Sequence, residues 1–142
     1  MRSPRLMLLS LLVGLLAGCS DRLGPDDWAR RPGRLYPEIS VTQMLQMPAQ
    51  ATAGVPFEIT VTTRGSGSCT RADGMTVSVS GMVADVTPWD RVAPEGTMCT
   101  DDLAAFPRTA TVRFDDPGTG AIRLHGRNDL VYHASLTVMP AN

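Results

Sequence analysis

Lysine is missing altogether from this 142-residue chain: all thirteen basic residues are arginine, set against fourteen acidic ones. The arginines are scattered and form no basic run, which argues against nucleic acid as a partner, and no acidic tail suggests a solvating role. An arginine-only cation set of this kind reads as the codon usage of a GC-rich genome rather than as anion recognition. Cysteine is scarce: the chain has three, none in a CxxC pair. GxSxG, HExxH and glycine-rich phosphate loops are all absent, so no common catalytic constellation is written here. No stretch carries a convincing helical period. The chain is expected not to be an enzyme.

What is present begins at the amino terminus. Arg2 and Arg5 give a positive start, and residues 6–16 are apolar apart from Ser10 and Gly14. A bilayer span needs about 20 apolar residues, so this run is too short to cross. A basic start, a short apolar core and small residues at the exit are the parts of a secretory signal. At its end stand Leu16, Ala17, Gly18 and Cys19. This segment resembles the lipobox of bacterial lipoproteins. The resemblance implies cleavage before Cys19, diacylglycerol on its sulfur and acylation of the new amino terminus. Cys19 is then the lipid-attachment residue, and the covalent lipid stands in place of any cofactor. Each buried methylene adds about 0.8 kcal/mol, and two or more chains anchor firmly. Ser20, rather than Asp, follows the cysteine, which in enteric-type bacteria favours the outer membrane. The expected organisation is a signal over residues 1–18, a lipidated flexible tether over 19–37, rich in Pro, Gly and charge, and one domain over 38–142. Loss of Arg2 and Arg5 with the signal leaves the mature chain more acidic.

With Cys19 given to lipid, Cys69 and Cys99 remain as an even pair in an exported chain. Such a pair is expected to form a disulfide. A two-cysteine metal or redox site is the alternative, but neither CxxC spacing nor a neighbouring His supports it. Closing the loop from 69 to 99 should stabilise by about 3–4 kcal/mol in the chain-entropy model.

Beyond Pro37 the chain alternates. Residues 39–47 are β-prone. Val55, Phe57, Ile59 and Val61 share one face, with Glu58, Thr60 and Thr62 on the other. Met75, Val77 and Val79 alternate with polar residues, and Ser80-Gly81 reads as a tight turn into Met82, Ala84 and Val86. Ala110, Val112 and Phe114 form the next set, residues 115–120 make a strong turn signal, and Ile122 and Leu124 follow. Tyr132, Ala134, Leu136 and Val138 close the pattern. The expected fold is all-β: a single antiparallel seven-stranded β-sandwich. The strand spacing and "AGVPFEITV" resemble an immunoglobulin-like or fibronectin type III-like module. In that arrangement the loops after strands two and four lie at one pole. Cys69 falls in the first and Cys99 in the second, so the resemblance implies a loop staple rather than the inter-sheet bridge of antibody domains.

Residues 87–107 read as a long loop, and such loops are usually functional or pinned. Trp89, Asp90 and Arg91 from this loop, with Arg71 and Arg127 from neighbouring loops, form the candidate interaction surface. Arg64, Asp101, Asp102 and Asp129 are expected near the same pole. Leu103 and Phe106 are read as caps on the end of the core. His125 and His133 stand outward on the last two strands and could hold a metal, but no third ligand is evident. Met44, Met47, Met75, Met82, Met98 and Met139 suit Cu(I) as soft ligands, yet read better as core filling. The paired aspartates fit turns rather than a calcium loop. The expectation is therefore a membrane-anchored, non-catalytic binding module of the cell envelope, gripping a protein or polymer at the disulfide pole. The alternative is a copper-type metal-handling lipoprotein using His and Met.

Overall fold

The computed structural model describes residues 27–142. Cys19 and the lipobox-like segment lie outside the described residues. The elements are β1 (Ala29–Pro32), α1 (Val41–Met44), β2 (Leu45–Gln46), β3 (Gln50–Thr52), β4 (Phe57–Gly65), β5 (Thr70–Ser80), β6 (Val83–Val92), β7 (Ala104–Val112), β8 (Gly118–His125), a 3-10 turn (Arg127–Asp129) and β9 (Val131–Met139).

Two sheets form. The larger has six strands in the order β1-β6-β8-β9-β3, with β5 on the other side of β6; the smaller is β2-β4-β7. Their inner faces enclose one core, in which Ile59 and Val61 of β4 and Val112 of β7 meet Ala84 and Val86 of β6, Ile122 and Leu124 of β8, and Leu136 and Val138 of β9. Each large aliphatic side chain fully buried here contributes about 1.5–3 kcal/mol. The alternation of β4, β6, β8 and β9 produces this core directly, since period-two residues share one face. Phe114 is the largest side chain in it, 5.9 Å from the ring of Phe57. Gly120 makes room for it: a Cβ there would stand 2.6 Å from Phe114 Cε2. The turn expected at Ser80-Gly81 is a two-residue hairpin loop between Ser80 and Val83, with Gly81 at φ 56, a conformation glycine adopts without strain.

Several expectations need correction. There are nine strands, not seven, and the arrangement is not purely antiparallel: β6 runs parallel to β8, and β3 to β9. The first parallel pair follows from the path of the chain, because β7 lies between β6 and β8 in sequence but in the opposite sheet. Residues 39–47 do not form one strand. Ser40 caps a single helical turn, its Oγ accepting from the Gln43 amide at 3.3 Å, and only Leu45–Gln46 pairs as β2. Residues within the stretch expected to be a tether are folded onto the domain. Ala29–Pro32 pairs with Val92–Trp89 as β1, and Leu35 is buried in the core. This strand is missed by periodicity because ARRP carries no apolar alternation; it is held by backbone pairing at one flank of β6.

The long loop is shorter than expected. Strand β6 continues to Val92 and β7 starts at Ala104, so the connection spans residues 93–103. Pro88, within the stretch read as a loop, sits fully buried inside β6. The ladder accommodates it through a register shift between Ala72 and Met75 on β5, and its carbonyl accepts from the Gly33 amide at 2.8 Å. A proline within a sheet is tolerated beside such an irregularity. Trp89, Asp90 and Arg91 are therefore strand residues, not loop residues.

Candidate functional site

The disulfide between Cys69 and Cys99 is present, with Cα atoms 5.5 Å apart. It fastens the 93–103 connection to the turn between β4 and β5. Polar bonds fasten it further. The Thr100 amide donates to Ser68 Oγ at 2.8 Å, and the Gly67 amide to Asp102 Oδ1 at 2.9 Å. The Ala93 amide donates to the Cys69 carbonyl at 3.0 Å. Hydrogen bonds from the Thr100 hydroxyl and then the Gly67 amide hold the Asp102 carboxyl below the usual carboxylate range. The tip stays open to solvent: Met98 is 96% exposed. The connection is thus pinned at its base and presented at its tip.

Beneath this pole lies an ionic cluster that hydropathy did not reveal. Asp90 is completely buried, and the Arg108 side chain is 8% exposed. Arg108 Nη2 donates to Asp90 Oδ1 at 2.6 Å, and Thr63 Oγ1 donates to the same oxygen at 2.9 Å. Arg108 also donates to the Trp89 carbonyl and to Thr63 Oγ1. Asp90 Oδ2 and Arg108 Nε have no partner among the described residues. Gly33 packs over the cluster, where a Cβ would meet Thr63 Cγ2 at 2.2 Å and Asp90 Oδ2 at 2.9 Å. Asp90 is therefore no part of an interaction surface; it braces the pole from within. Arg108 was not singled out from the sequence, although its register was readable: Val112, Ala110 and Arg108 share one phase of β7.

The remaining surface candidates divide into two groups. Arg71, Trp89 and Arg91 stand on the outer face of β5 and β6. Arg71 lies 4.3 Å from the ring centre of Trp28, and Arg30 lies 4.6 Å from that of Trp89. Trp89 Nε1 donates to Thr76 Oγ1 at 2.8 Å. Asp73 meets Arg30 at 2.8 Å and Arg91 at 3.5 Å. This face is a ladder of cation–π contacts and ion pairs whose members already have partners. Arg127 belongs to the second group. With Arg34 and Arg64 it lines a cleft of about 160 Å³ against the disulfide, and with Arg34 and Tyr36 an adjoining hollow of about 380 Å³. Arg127 Nε donates to the Pro32 carbonyl at 3.1 Å, and its amide to the Gly33 carbonyl at 3.0 Å. Desolvation first, and then the charge of Arg34, lowers the Arg127 pKa from its ordinary value.

His125 and His133 are diagonal neighbours on one face of the β8–β9 ladder, but His125 is already engaged. His125 Nε2 shares a 2.6 Å hydrogen bond with Asp85 Oδ1, and Arg123 holds the other oxygen of that carboxylate at 2.6 Å. His133 faces Arg123 across the β8–β9 ladder. Among the described residues, no group of three or more His, Cys, Asp or Glu is placed to hold a metal ion. Met44 is buried, and Met47, Met75 and Met82 pack against the core. Leu103, expected to cap the core, is instead 45% exposed, because it lies on the connection and not under it.

Compared with protein-family models, with curated proteins and with solved structures, the chain matches none.

Proposed function

We propose that this chain is a lipid-anchored, non-catalytic binding module of a bacterial cell envelope, which grips a protein or polymer through the disulfide pole. The observation that carries this reading is the pinned connection: a disulfide and several hydrogen bonds hold residues 93–103 at the base while Met98 projects into solvent. Loops held on a rigid scaffold are where recognition residues concentrate. The outer-face residues Arg71, Trp89 and Arg91 flank this site, and Arg127 lies inside it.

Two facing sheets around one core support reading the domain as an elaborated immunoglobulin-like sandwich, with β1 and β3 as short additions at the flanks. Anchoring rests on the sequence alone: Cys19 carries the lipid, and Ser20 favours the outer membrane. Replacing Cys19 with Ser should release the protein or leave it unprocessed; membrane fractionation and the mass of the mature chain read this. Replacing residues 94–98 by a Gly/Ser stretch of equal length should abolish crosslinking to an envelope partner while the melting temperature stays close to wild type. Unchanged crosslinked partners would contradict the reading.

A further inference from the structure

We infer that the Arg34–Arg64–Arg127 cleft binds a multiply charged tetrahedral oxyanion, the phosphate-monoester or sulfate-ester class, carried by the partner that the pole grips; this rests on the pole being the binding surface. The three arginines come from distant parts of the chain. Arg34 follows β1, Arg64 stands at the end of β4 beside Gly65, and Arg127 opens the turn between β8 and β9. Folding brings the charge of Arg34 onto Arg127, and like charges at one cleft are relieved by a counter-ion. No Asp or Glu lines the cleft. Among the described residues, no carboxylate forms an ion pair with any of the three. The buried Asp90 offsets part of the Arg127 charge, but its ion pair among the described residues is with Arg108.

The cleft is also pre-formed. Arg127 is fixed by its bonds to Pro32 and Gly33, and Arg64 Nη2 donates to Gln43 Oε1 at 3.0 Å. Gly126 lets the turn close against Leu35, since a Cβ there would stand 2.7 Å from Leu35 Cδ1. Both terminal nitrogens of Arg127 stay uncommitted among the described residues. One guanidinium fork saturates a carboxylate in bidentate fashion. The forks of Arg34 and Arg127, at a cleft of about 160 Å³ that Arg64 also lines, call for more oxygens and more charge than a carboxylate carries, which a phosphate or sulfate group supplies.

The test is calorimetric titration of the full chain in neutral-detergent micelles with inorganic phosphate, sulfate and acetate. Phosphate and sulfate should bind saturably, and acetate roughly tenfold more weakly or worse. Replacing Arg127 or Arg34 with Gln should weaken phosphate roughly tenfold, the effect of losing one charge-assisted contact. Arg127→Lys, which keeps charge but loses the fork, should fall between, and covers the case in which the Gln variant does not fold. Arg113→Gln, at the opposite end, should change nothing. Competition by glycerol phosphate but not by vesicles of phosphatidylglycerol places the group on a soluble or polymeric partner; arginine-dependent binding to those vesicles, but not to phosphatidylcholine, places it on a lipid headgroup. Absent phosphate and sulfate binding, or binding indifferent to Arg34 and Arg127, overturns the inference. If partner crosslinking still depends on residues 94–98 in that case, the pole reading survives it. If phosphate binds through the arginines but that replacement costs no crosslinks, the pole reading fails and the anion site stands.

Discussion

Followed along the same inward face, the strands of this protein change character from one end to the other. Inward positions of β4 run Ile59, Val61, Thr63; those of β6 run Ala84, Val86, Pro88, Asp90; those of β7 run from Val112 through Ala110 to Arg108. At the end holding Phe114 and Phe57 the interior is apolar and closely filled. At the disulfide end it is ionic, bridged and overlain by glycine. Hydrophobic burial supplies most of the free energy of folding and does so without directional demands. A buried ion pair supplies little net stability, because desolvation offsets attraction, and its documented use is to specify one geometry. The two ends therefore differ in task. The apolar end holds the sheets together, and the ionic end fixes the surface above it.

The sharpest way to break this comparison is to disturb each interior in turn. Asp90→Ala strands the Arg108 charge and should cost about 3–5 kcal/mol in urea denaturation. Phe114→Ala should cost a similar amount, about 3–5 kcal/mol, by leaving a cavity. The ends then part: combining Asp90→Leu with Arg108→Met should return stability to wild type or above it. If the pair proves irreplaceable, the ionic end is holding the fold and the division of labour is wrong. Reduction of the Cys69–Cys99 bridge, which closes a separation of 30 residues, should cost about 3–4 kcal/mol in the chain-entropy model, read as a lowered urea midpoint.

Smaller effects refine the contrast. Gly120→Ala forces a Cβ to within 2.6 Å of Phe114 and should destabilise by about 1–3 kcal/mol through overpacking, read as a drop in melting temperature. The smallest effect concerns pH. Hydrogen bonds from Arg123 first and His125 second hold the Asp85 carboxyl below the usual carboxylate range. A depressed folded pKa stabilises above the unfolded value, near about 4, and that stability is lost as pH falls through the folded value. Asp85→Asn should therefore be slightly less stable than wild type near neutrality and converge with it in acid. The effect is modest because these groups are partly exposed. Asp102 at the pole is depressed in the same direction, so acid should loosen the connection as well.

How far the sequence could be read tracks the same division. The apolar end was legible: Ile59, Val61, Val86, Ile122 and Leu124 announced their faces by alternation, and Ser80-Gly81 announced its hairpin. The pairing of Cys69 with Cys99 was legible too, from cysteine number and the expectation of export. The ionic end was not. Asp90 and Arg108 keep the inward phase of their strands, but their charge hid them from any reading based on hydropathy. Residues 87–92 were read as loop, and the buried place of Pro88 among them depends on a shift in the neighbouring strand. Strand β1 has no pattern of its own and exists through β6. Arg64 and Arg127 were expected at one pole and both line the cleft there; Arg34 was not, because it lies in the stretch assigned to the tether.

Photo-crosslinking from the two ends of the molecule tests the central claim most directly. A benzoyl-phenylalanine at Met98, 96% exposed on the pinned connection, is compared in the native envelope with one at Val55, 52% exposed at the opposite end. The account predicts a discrete crosslinked product from Met98 and none from Val55. A product from Val55 with none from Met98 would contradict it.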